Sequence, residues 1–184
     1  MGKVKREIKD ENIETSNNME LIEIKIRRYK TLIKGILLGS GAQWSFIRQN
    51  VVDYVLDGFL FTNKQYVDRE TEIEESTMLH RVLSLKNKAE DIPALESPSI
   101  LNENGSLYSF LKRKEILVAV SLHREDILYV GKIKDVGPKS FILDSYGTEL
   151  EKSGLMNIDF TKVRYIQIHS DYLDSLGLLL DYVE

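Results

Sequence analysis

An all-β protein with short helices, built as two tandem five-stranded barrels, is the fold class that this sequence predicts. Three observations predict it. Short apolar runs alternate with polar residues at a period of two and are punctuated by glycine, as at Gly35 to Gly41, Ile127 to Lys134 and Ser140 to Asp144. The segment from Asn87 to Gly105, with Pro93, Pro98, Asn102 and Asn104, breaks every periodicity and divides the chain into two halves. These halves align without a gap at an offset of 82 residues, from Gly35 on Leu117 to Thr62 on Asp144. Ile36 then meets Val118, Phe46 meets Leu128, and Phe59-Leu60-Phe61 meets Phe141-Ile142-Leu143.

Composition narrows the function classes. Of 184 residues, 42% are hydrophobic and 29% charged, which supplies enough apolar surface for a core. A net charge of -4 works against indiscriminate binding to nucleic acid. The lack of cysteine excludes disulfides, thiolate nucleophiles and thiolate-bound zinc. No apolar run reaches the roughly 18 residues of a membrane span, and the N-terminus lacks the apolar stretch of a signal peptide. The expectation is a cytoplasmic protein with no membrane association.

In chain order, residues 1–19 mix Lys3, Lys5, Arg6 and Lys9 with Glu7, Asp10, Glu11 and Glu14, and read as a mobile arm. Residues 20–90 read as a first helix and a small β-barrel. Ile22, Ile26, Tyr29 and Ile33 stand at spacings of four, three and four, which predicts the helix, although Ile22, Ile24 and Ile26 also fit a strand. Strands are predicted at Gly35 to Gly41, Trp44 to Tyr54, Gly58 to Thr62 and Leu79 to Lys86, the last after an acidic connection from Asp68 to Glu75. Residues 91–105 form the linker. Residues 106–184 give a second helix, with Ser106 as its N-cap, and a second barrel. Its strands are Ile116 to Leu122, Ile127 to Lys134, Ser140 to Asp144 and Lys162 to His169, and the leucine-rich end forms a short helix or extension.

Leu111-Lys112-Arg113-Lys114-Glu115-Ile116, Val118 to Leu122 and Val130-Gly131-Lys132-Ile133-Lys134-Asp135 resemble an Sm-like barrel, in particular the Hfq RNA chaperones. The resemblance covers Ser106 to His169 and extends through the repeat to Leu21 to Lys86. It implies a short helix with a basic end, a bent five-stranded barrel whose second strand bends at Gly131, and a third strand at Phe141-Ile142-Leu143. It also implies that neighbouring barrels join through their last two strands. The family stacks bases on aromatics in the first and third strands and contacts RNA through a Tyr-Lys-His run. Ser121, Ser140 and Asp159-Phe160-Thr161 stand there instead, so the resemblance implies the fold without the family's RNA site.

The basic residues Arg27, Arg28, Lys30 and Lys34, with Lys112, Arg113 and Lys114, are the candidates for RNA phosphate. A solvated face beside acidic residues explains them better. Trp44, the single tryptophan, aligns with Asp126 in a turn of the second half and is a candidate interface anchor, together with Leu176 and Leu179 in the closing run. His80, His123 and His169 lie far apart and lack metal-ligand spacing. No nucleophile elbow, phosphate loop or pocketed carboxylate pair is readable. The expectation is a non-catalytic protein without cofactor or metal, binding a protein partner or further copies of itself, with single-stranded RNA as the alternative.

Overall fold

The computed structural model describes residues 19–147 and 151–183. The first half contributes strands β1 (Leu21–Ile26), β2 (Leu32–Ser40), β3 (Trp44–Val52), β4 (Val55–Asn63) and β5 (Val67–Glu72). The second contributes β6 (Leu117–Ser121), β7 (Leu128–Val136), β8 (Ser140–Tyr146), β9 (Lys152–Asp159) and β10 (Tyr165–Ile168). Three helices accompany them: α1 (Met78–Lys86), α2 (Asn104–Arg113) and α3 (Asp171–Val183). The molecule is mostly β, as its alternating runs predict. All ten strands belong to one sheet in the order β5-β1-β2-β3-β4-β10-β6-β7-β8-β9, which is not closed on itself. Every pairing in it is antiparallel.

Each half runs fifth, first, second, third, fourth, so the topology repeats. The repeat register is 96 residues, Gly35 onto Gly131, and not the 82 that the apolar pattern suggests. Alternating apolar residues fit any strand onto any other, and the apolar pattern alone sets β2 on β6. Backbone constraints settle the offset. Gly35 and Gly131 sit where β2 and β7 cross the next strand so closely that a Cβ would collide with Arg48 O and Asp144 O, themselves equivalent residues. Gly58 and Gly154 both adopt left-handed backbone, with φ of 68° and 103°. The register of β2 with β3 shifts between Leu37 and Gly39, and that of β7 with β8 between the equivalent Ile133 and Asp135. Asn63 and Asp159 each cap a single 3-10 turn, accepting from the N–H of Gln65 and Thr161.

Other expectations are corrected. Residues 20–34 form β1, a tight turn and the start of β2, not a helix. The β-branched Ile22, Ile24 and Ile26 all point into the core of the first half, and Arg28 takes a φ of 69° to turn the chain. Asp68 to Glu75 is not merely a connection, because β5 pairs with β1 while its side chains carry no apolar alternation to betray it. Leu79 to Lys86 is helix α1, capped by Thr77 Oγ1 on the His80 N–H; Leu79 and Leu83, one turn apart, pack on Leu21 and Ile36. Helix α2 starts at Asn104, two residues before Ser106, with Glu103 in the cap position. Strand β9 carries Ser153, Gly154 and Asn157 and has no readable apolar period. The arm expected at 1–19 lies outside the described residues except Met19, whose carbonyl meets His80 Nε2 at 2.8 Å.

Equivalent residues fill the two interiors. Ile22, Ile24, Ile26 and Ile47 are matched by Val118, Val120, Leu122 and Leu143, each side chain contributing about 1.5–3 kcal/mol of burial. Antiparallel pairing of β4 with β10 sets Phe59, Leu60, Phe61 and Thr62 opposite Ile168, Gln167, Ile166 and Tyr165. One apolar cluster therefore crosses from one half to the other. Helix α2 locks that crossing: Tyr108 meets Trp44 edge-on at 6.0 Å and stacks on Phe141 and Phe160 at 4.4 and 4.7 Å. The stretch before α2 is packed as well, with Ile100 and Leu101 buried and Leu101 lying over Gly39 and Gly41.

Crowding at the matched glycines leads to a paired expectation. Gly35→Ala and Gly131→Ala each lower stability by about 1–3 kcal/mol. Gly177→Ala in α3, where an added Cβ meets nothing within 4 Å, raises it by about 1 kcal/mol. Urea unfolding measures all three, and an unchanged midpoint for Gly131→Ala would deny the close strand crossing.

Candidate interaction surfaces

Because the sheet is open, its two end strands have one neighbour each. Among the described residues β5 pairs only with β1, and β9 only with β8. The free rim of each presents backbone N–H and C=O groups that can accept another strand. Their side chains differ. β5 is a charged edge with Asp68, Arg69, Glu70 and Glu72, in which Asp68 pairs with Arg27 at 3.0 Å and Arg69 with Glu23 at 3.8 Å. β9 carries Leu155, 66% exposed, beside Met156 and Asn157.

A second surface belongs to α3. Leu173, Leu176 and Leu180 face the protein, and Ser170 Oγ caps the helix by accepting from the Leu173 N–H at 3.3 Å. Asp57 holds the same end through the Asp171 N–H at 2.7 Å. The opposite face leaves Tyr172, Leu178, Leu179 and Tyr182 exposed, at 53%, 74%, 52% and 89%. A helix apolar on both faces has one face without a partner among the described residues.

The sequence-predicted residues fall unevenly on these surfaces. Leu179 lies on the exposed face of α3, while Leu176 is buried beneath it. Trp44 is fully buried and donates from Nε1 to Asn104 Oδ1 at 3.1 Å, so it is a core residue and not an exposed anchor. The 82-residue offset placed it opposite a turn; the correct register sets it opposite Ser140, the first residue of β8. Most of the basic residues are engaged by carboxylates. Arg27 pairs with Asp68, Lys112 with Asp135 at 2.9 Å, and Arg113 and Lys114 both with Glu96. Arg113 and Lys112 hold the Glu96 and Asp135 carboxyls below the usual range. Arg28 lies in the left-handed turn after β1, and the Lys30 N–H donates to Glu125. These cations do not make a free phosphate track.

Sequence reasoning missed a polar seam between the halves. Tyr29 meets Ser121 Oγ at 2.5 Å and donates to the Leu122 carbonyl at 2.8 Å, and burial pushes its phenol up. Arg164, 6% exposed, spreads over the rings of Tyr66 and Tyr29 at 4.3 and 5.6 Å. Glu125 accepts the N–H groups of Lys30 and Thr31 at 2.7 and 2.8 Å. The repeat places Tyr29 and Glu125 at equivalent turns, so neither pattern nor propensity marked their role.

A concavity of about 610 Å³ over the joint is lined by Arg48, Asp57, Asp91, His169 and Asp174. Its polar groups satisfy one another: Arg48 reaches Asn87 and Asp91 at 3.0 and 3.2 Å, and His169 lies 3.3 Å from Asp174. Among the described residues no group of three His, Asp or Glu could hold a metal ion, and no helix is long and apolar enough to cross a membrane.

The seam makes stability depend on acid. The Thr31 side chain, with the Lys30 and Thr31 N–H groups, holds the Glu125 carboxyl below its usual value. A carboxyl depressed by folding stabilises the fold above its unfolded pKa and loses that contribution as pH falls through the folded value. Glu125→Gln is expected to cost about 1 kcal/mol at neutral pH and nothing once the wild-type carboxylate is protonated. Urea titrations at neutral and strongly acidic pH check this; a cost independent of pH would contradict it. Comparison with protein-family models, with curated proteins and with solved structures gave no match for this chain.

Proposed function

We propose that the chain is a cytoplasmic, non-catalytic binding protein made of two tandem Sm-like barrels, and that it binds a protein partner at the β9 edge and the outer face of α3. The observation that carries this reading is the pairing of β4 with β10. Sm-like barrels join through their last two strands, and here the fourth strand of the first half meets the fifth of the second. The repeated strand order, the matched Gly35 and Gly131, and the capped turn before each fifth strand support the same reading.

A joint of this kind leaves β5 and β9 for neighbours outside the chain. If two chains continued the sheet in the same register, Leu155 would face Glu72 and Asn157 would face Glu70. The inner joint has Phe59 facing Ile168 and Phe61 facing Ile166 at those positions. Taking a carboxylate out of water without a partner costs several kcal/mol, which opposes self-extension. β9 therefore suits a strand from a different protein, added by backbone hydrogen bonds, with the apolar face of α3 enlarging the contact. Single-stranded RNA has less support, since Arg27, Lys112, Arg113 and Lys114 are occupied by carboxylates.

The test is affinity capture with wild type, Leu155→Lys and Leu179→Lys, followed by titration of the purified partner. Each variant keeps its circular dichroism spectrum and weakens binding by about tenfold or more. Undiminished affinity in both variants would refute these surfaces as the binding site.

A further inference from the structure

The repeat sets up a comparison inside one molecule, and one face of the sheet fails it. On the outer face of the first half, Ile36, Leu38 and Leu56 are apolar and covered by Leu79 and Leu83 of α1. The same positions of the second half, 96 residues on, are Lys132, Lys134 and Lys152. Instead of a packed helix they line an open concavity of about 420 Å³, together with Lys112, Glu115, Ile133, Asp144 and Tyr146.

Lys112 is paired with Asp135. The side chains of Lys132, Lys134 and Lys152 make no hydrogen bond or ion pair among the described residues. The lining acids Glu115 and Asp144 leave a surplus of positive charge in the concavity, and Lys132 is half-buried there. Like charges gathered in one hollow repel each other, and an anion of several charges turns that repulsion into attraction. The volume falls within the roughly 300–1,000 Å³ of small-ligand sites. Tyr146 gives it a partly apolar wall.

We infer that this concavity binds an organic polyphosphate of nucleotide size, such as a nucleoside di- or triphosphate, with Lys132, Lys134 and Lys152 on the phosphates. Three ammonium groups, none ion-paired among the described residues, outnumber the two lining carboxylates and suit a compact run of phosphates better than one monoanion. Lys152 opens β9, but Lys132 and Lys134 lie on β7, two strands in from the free rim, so the Lys132/Lys134 variant tests this site apart from the partner-binding reading.

Isothermal titration of the whole chain at low salt tests it with four probes: ATP, AMP, inorganic tripolyphosphate and a short single-stranded oligonucleotide. ATP is expected to bind more tightly than AMP, to weaken with added salt, and to lose about tenfold or more in affinity in Lys132→Gln/Lys134→Gln. Lys134→Gln/Lys152→Gln is the second variant if the first does not fold. Arg81→Gln/Lys88→Gln, which removes the same charge from the other half, leaves ATP binding unchanged. ATP well above tripolyphosphate assigns a nucleotide, and equal affinity assigns the phosphates alone. The inference is overturned by no saturable ATP binding up to about 1 mM, by equal loss in the control variant, or by an oligonucleotide that binds more tightly than ATP.

Discussion

Four residue pairs between β4 and β10 hold the organisation of this protein together. Without that ladder, Phe59 and Phe61 would lie at the rim of one small sheet and Ile166 and Ile168 at the rim of another, with their backbone groups unpaired. With it, two interiors become one sheet and an aromatic cluster reaches from Phe46 through Tyr108 to Phe160. The seam around Tyr29, Arg164 and Glu125 depends on the same ladder, because each side chain crosses from one half to the other. A joint made within one chain needs no second molecule, so its strength does not depend on concentration.

The two halves differ where their surroundings differ. Interior positions keep their character, as Ile22 and Val118 or Ile47 and Leu143 show. The fifth strands do not. Ile166 and Ile168 of β10 are buried in the joint, while Glu70 and Glu72 stand at the same positions of β5 and face water. Charged residues on an exposed edge oppose its extension by further strands. β9 has no such guard, since Leu155 projects from it, and α3 adds a second uncovered apolar surface. The end of the sheet at β9 and the helix that follows β10 are therefore the places where a partner gains most by binding.

How much of this the sequence disclosed follows from what each segment buries. Strands with one buried and one more exposed face, such as β7 and β8, were legible by alternation. β5 was not, because an edge strand with both faces wet is written in charges. Ile22 to Ile33 satisfied helical spacing by coincidence, and β-branched isoleucine inside a sheet decided otherwise. A repeated pattern was legible but its register was not, since the apolar rhythm fits several offsets and it is Gly35, Gly58, Gly131 and Gly154, with the matched bulges and capped turns, that distinguish them. From the wrong register came the misplacement of Trp44. The exposure of Leu179 was expected from composition, whereas that of Leu155 needed the topology that makes β9 an edge.

The claim that charge on β5 is what ends the sheet is open to a direct measurement: sedimentation equilibrium of the wild type and of Glu70→Ile/Glu72→Ile, which gives β5 the residues of β10. The expected result is a monomeric wild type and a variant that forms head-to-tail oligomers, reversed by Leu155→Lys. A variant that stays monomeric, or a wild type that already polymerises through these edges, would contradict it.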